Sequence, residues 1–163
     1  MKTLSNIPPL KRMRVRAGLL IALLGFFLFL IGAKPDLIGQ DRSPVVGFVQ
    51  IAVFLSGLGI ICIGGYITLD GLWNGYPRTI ASDIGMRLVA TGFVIAVACG
   101  MADVLGFGTQ VSPAIPHFGV WQMRGVLIGQ GVIGIGFILM IPFKLQPPAQ
   151  SEEPPTPLNI SAS

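Results

Sequence analysis

Residues 119–136 read GVWQMRGVLIGQGVIGIG, and residues 47–64 read GFVQIAVFLSGLGIICIG. Both spell Gln-x6-Gly-x-Gly-x4-Gly, 72 positions apart, inside apolar runs. Laid together without a gap, eight of eighteen positions are identical: Gly47/Gly119, Gln50/Gln122, Leu55/Leu127, Gly57/Gly129, Gly59/Gly131, Ile61/Ile133, Ile63/Ile135 and Gly64/Gly136. A chain with 22 glycines matches some of them by chance. The shared Gln and the ungapped register point instead to a duplicated segment. Upstream the echo is weaker and needs gaps. Asp36-Leu-Ile-Gly39 answers Asp103-Val-Leu-Gly106, Ser43-Pro44 answers Ser112-Pro113, and Arg16 and Arg87 open the corresponding helices.

The solvent these segments expect is hydrocarbon. The 163 residues have a mean hydropathy of +0.76, with 52% hydrophobic and only 11% charged residues. A soluble domain carries about 25% charged residues. Four runs are long and apolar enough to cross about 30 Å of lipid: 17–33, 44–69, 84–102 and 121–143. Arg16 and Lys34 flank the first run, and Arg124 and Lys144 flank the fourth. The first run is longer than the apolar region of a signal peptide, about 7–15 residues, so it reads as a retained anchor.

The expected fold is therefore all-α, a polytopic membrane protein of four transmembrane helices arranged as two tandem hairpins. Two crossings separate the copies, so they run in the same direction, as a parallel repeat about the membrane normal. An inverted-repeat transporter would need an odd number of crossings between them. The expected organisation is a basic arm over 1–16, a four-helix membrane domain over 17–143 and a disordered Pro-rich tail over 144–163.

Orientation follows from the basic residues. With the N-terminus cytoplasmic, eight of the eleven Lys and Arg fall on that side: Lys2, Lys11, Arg12, Arg14, Arg16, Arg78, Arg87 and Lys144. Both termini are then cytoplasmic and the cell membrane is the expected location. The arm suits anionic lipid headgroups, at about 1 kcal/mol per basic residue. No folded basic face accompanies it, so nucleic acid is not an expected partner. In the inner loop, Trp73 and Tyr76 suit the interfacial aromatic belt, and Ser82 reads as the cap of the third helix. The outer loop 103–120 is Gly- and Pro-rich and either lies along the interface or dips back in.

Lipid tails are as apolar as Leu, so spanning helices hold one another by close backbone packing and interhelical hydrogen bonds. The packing candidates are Gly57, Gly59, Gly64, Gly92, Gly100, Gly125, Gly129, Gly131 and Gly136, joined by Gly18, Ala22, Gly25 and Ala96. The candidate polar site is small. Gln130 is the deepest strongly polar side chain. Arg124, which replaces Ala52 of the first copy, is spaced from Lys144 to sit at the outer boundary and snorkel to water; the functional reading instead pairs it with Asp103 near His117. His117 is the only histidine, and no His/Cys/carboxylate cluster or catalytic signature accompanies it, so no cofactor, metal or catalytic residue is expected. The expected role is non-catalytic: an accessory or packing subunit of a larger membrane complex, or a self-associating membrane protein. The competing reading is a small transporter or channel, dimeric in one form, with its polar site near the outer leaflet.

Overall fold

The computed structural model describes residues 9–34, 47–73, 77–106 and 119–142. Within these are four helices, α1 (Pro9–Ala33), α2 (Phe48–Leu72), α3 (Ile80–Gly100) and α4 (Val120–Met140). Each is long and apolar enough to cross a membrane. The expected tail disorder, the outer-loop segment 107–118 and the Asn74–Tyr76 turn lie outside the described residues.

Local chemistry sets the helix ends. Pro9 opens α1, where its missing N–H costs nothing. The helix therefore takes in the basic residues from Lys11 to Arg16 as a continuation of the apolar span. At the start of α3 the cap is Thr79, not Ser82. The Thr79 hydroxyl oxygen accepts the Ser82 backbone N–H at 3.3 Å. Ser82 itself is buried, because it falls on the packed face of the helix. Helix α4 stops where Ile141 turns extended, the conformation imposed on a residue before proline, here Pro142. Beyond α3, a turn over Met101–Gly106 closes on Gly106, whose φ of +80° favours glycine.

Helices α1 and α2 pack antiparallel along a seam of interlocking glycines. Gly18 receives Thr68, Gly25 receives Ile61 and Gly32 receives Phe54. In return Gly57 receives Phe29, Gly64 receives Ala22 and Gly71 receives Val15. The seam glycines recur every seven residues on both helices. A seven-residue repeat keeps one stripe facing its partner through a left-handed crossing. Helices α3 and α4 repeat the device: Gly85 receives Met140, Gly92 receives Ile133, Gly129 receives Ala96 and Gly136 receives Val89. A β-carbon on Gly92 would lie 2.6 Å from the Gly129 carbonyl oxygen, and one on Gly129 would lie 2.6 Å from that of Gly92. Backbone touches backbone here, the contact that holds helices together in lipid. Gly18 and Gly85 occupy equivalent seam positions, 67 residues apart, as do Gly25 and Gly92. On that register Arg16 matches Asp83 rather than Arg87.

The two pairs meet mainly through α2, and far more loosely. The near end of the bundle is the one that holds the start of α1. Towards the far end, α2 rests on α3: Leu55 lies against Gly100, and the Phe93 ring fills the space beside Gly59. Towards the near end, α2 rests on α4: the Phe137 ring fills the space beside Gly65. There the Trp73 indole N–H donates to the Met140 carbonyl at 3.1 Å. Trp73 is thus buried against the rest of the chain, at the end of α2. It satisfies one of the last carbonyls of α4, which the helix cannot satisfy itself. Little of each span is covered by the rest of the chain: 17% of the most apolar window of α1 is buried. So much exposed Leu and Phe points to lipid as the surrounding solvent.

Candidate functional site

Because α2 runs diagonally from α3 to α4, it leaves a wedge on each side. The near-half wedge, between α2 and α3, has a volume of about 530 Å³ and is bounded by Cys62, Ile63, Met86, Ala90 and Phe93. Its edge includes Ser56 and Tyr66, and the rest of its wall is apolar. The far-half wedge measures about 280 Å³. Phe29, Gly32 and Ala33 of α1, Gln50, Ile51 and Phe54 of α2, and Met123, Val126, Leu127 and Gln130 of α4 surround it.

Gln130 therefore borders a cavity, and its companion there is Gln50. Their separation is legible from the packing. Gly100 touches Leu55 and Ile51 of α2, and its neighbour Cys99 touches Gly125 of α4. That levels residues 51–55 of α2 with Gly125 and puts Gln130 about 12 Å deeper than Gln50, at 1.5 Å per residue. Gln122, the sequence partner of Gln50, does something else. Its Oε1 accepts the Gly119 backbone N–H at 2.8 Å and caps α4. Gln50 and Gln130 form no hydrogen bond with other described residues.

The other site residues are spread out. Arg124 is exposed, and its guanidinium lies over the Trp121 ring, 5.2 Å from the centroid. It forms no ion pair with Asp103, which is half-buried beyond the end of α3. His117 lies outside the described residues. Gly131 sits on the outer face of α4 with open space around it. Among the described residues no group of three or more His, Cys, Asp or Glu is placed to hold a metal.

One cluster at the near end is not evident from sequence spacing alone. Arg78 pairs with Asp70 across the α2–α3 connection and lies 5.9 Å from the centroid of the Tyr66 ring. The Arg78 pKa is raised, first by its hydrogen bond with Tyr66 and then by the Asp70 charge. Eight residues separate the partners of the ion pair, and the turn between them decides whether they meet. The cluster is exposed and tethers the loop; exposed pairs contribute about 0–1 kcal/mol.

No family model, no curated protein and no solved structure matches this chain. Its function is therefore argued from its own geometry.

Proposed function

We propose that the chain is a multi-pass integral membrane protein with a non-catalytic role, as an accessory subunit of a membrane assembly or as a self-associating protein. The lateral surface carries this reading. Leu19, Leu20, Leu23, Leu24 and Phe27 of α1 are between 61% and 69% exposed. They lie away from the glycine seam, and that seam occupies the close-packing face of the helix within the chain. Both termini on the cytoplasmic side of the cell membrane belong to the same proposal, supported by the Lys and Arg distribution. So does a tandem arrangement of two hairpins. Gly57 and Gly64 precede Gly129 and Gly136 by 72 residues, Gly18 and Gly25 precede Gly85 and Gly92 by 67, and equivalent glycines meet their partners at equivalent places.

Purification in mild detergent with native mass measurement tests the role. The expected result is a discrete oligomer or a defined partner. A monodisperse monomer that moves a solute into liposomes overturns it. That outcome would favour a small transporter or channel, the second reading, which rests on Gln50 and Gln130 sharing one cavity. In that case Gln130→Leu abolishes flux while the helices still fold.

A further inference from the structure

The far-half cavity sets two amides into an otherwise apolar wall, Gln130 at membrane depth and Gln50 near the start of α2. Gln130 lies ten residues in from Val120, about 15 Å along α4. Neither Gln130 nor Gln50 is matched within the described residues. An amide without a partner is costly in hydrocarbon, where no water replaces the missing bond.

We propose that this cavity binds a neutral, membrane-soluble molecule with a compact carbonyl-bearing head and an apolar tail. The Gln130 amide donates to a carbonyl oxygen at depth, and Gln50 holds the head at the rim. Three observations carry the assignment. Among the described residues no charged side chain lines the cavity, so a charged head would lie unpaired against them in low dielectric. The volume, about 280 Å³, lies just under the roughly 300 Å³ at which pockets for drug-sized ligands begin, so a head fits and a tail does not. Met123 and Leu127 on its edge are about half exposed, at 52% and 54%, which opens the cavity sideways to the tail region of a bilayer. The larger near-half wedge serves as an internal control. Among the described residues it offers no amide, and the Arg78 guanidinium already lies over its Tyr66 ring.

The chemistry is shared by tailed benzoquinones and by diacylglycerol esters, and separate arms distinguish them. The full chain is placed in phosphatidylcholine nanodiscs and titrated with a photoreactive short-tailed benzoquinone or a photoreactive diacylglycerol. Labelled residues are mapped by mass spectrometry. Saturable labelling at Met123, Val126 or Leu127 by either probe is expected, and the probe that labels identifies the source. Gln130→Leu weakens that binding about fivefold, the loss of one neutral hydrogen bond. Leu127→Trp fills the cavity and removes binding, whereas Ile63→Trp in the other wedge leaves it unchanged. Labelling that never saturates, that maps to the near-half wedge, or that is equal in Gln130→Leu and the unaltered chain overturns the proposal.

Discussion

The α1–α2 pair and the α3–α4 pair pack along similar glycine seams and differ at telling positions away from them. Gly18 and Gly25 face α2 as Gly85 and Gly92 face α4, and Gly57 and Gly64 answer them as Gly129 and Gly136 do. Away from the seams, some aligned positions differ in kind. Ala52 corresponds to Arg124, and Leu58 corresponds to Gln130. Where the aligned residues are the same, their contacts can still differ: Gln122 caps α4, while Gln50 borders the far cavity. Backbone-to-backbone contact leaves no room for an added atom, so glycine suits the seam positions of both pairs. A side chain facing lipid or a wedge meets no such wall. Gln50, Gln130 and Arg124 all lie off the seams.

That contrast can be broken most severely at the seams themselves. Gly129→Leu drives a side chain into the backbone of α3, and Gly64→Leu does the same into α1. Overpacking a tight site costs about 1–3 kcal/mol, and the upper end or more is expected because backbone is the obstacle. Denaturant titration in detergent micelles, followed by far-UV circular dichroism, measures it. Similar losses in the two variants support equivalent seams; a tolerated Gly64→Leu would mean that the first pair packs differently.

A smaller effect is expected where the pairs meet. Trp73→Phe keeps an aromatic ring but removes the N–H that bonds the Met140 carbonyl and part of the buried indole. A loss of at least about 1 kcal/mol follows, the usual worth of such a bond plus the lost packing. Hydrogen exchange should rise at the near ends of α2 and α4 and stay unchanged at the seam glycines.

The two glutamines sharpen the comparison further. Gln122→Leu removes a helix cap and should cost about 0.5–1.5 kcal/mol, in the range of one net hydrogen bond. Gln50→Leu leaves stability unchanged or slightly raised, since it replaces an amide that no described residue satisfies. Equal losses in the two variants would show that both glutamines cap. Smallest of all is Gly131→Ala, where nothing lies within 4 Å. Its effect should stay within about 0.5 kcal/mol, as for surface substitutions away from special features.

Much of the seam was legible because periodicity is a property of the chain. The stripes Gly57/Gly64, Gly92/Ala96/Gly100 and Gly18/Ala22/Gly25 all follow helical spacing, and each falls on a packed face. Gly131 belongs to the same repeated motif, yet lies in open space. A motif records which residues recur, but two residues apart on a helix point in different directions. Arg124 has two readings from sequence, an exposed side chain at the outer boundary or a partner of Asp103; it is exposed and lies over Trp121, unpaired with Asp103. Trp73 suited an interface by its chemistry and became buried because α2 crosses α4 at that level.

Sequence alone determined four apolar helices, their approximate limits and the spacing of the small residues that let backbones close on one another. Those are local properties, written in composition and in periods of three to four residues. Only tertiary structure decided how one helix pair lies across the other, and with it which glutamine meets a cavity and which caps a helix. The contact between the pairs is sparse and runs at a slant, so it leaves no periodic trace along the chain.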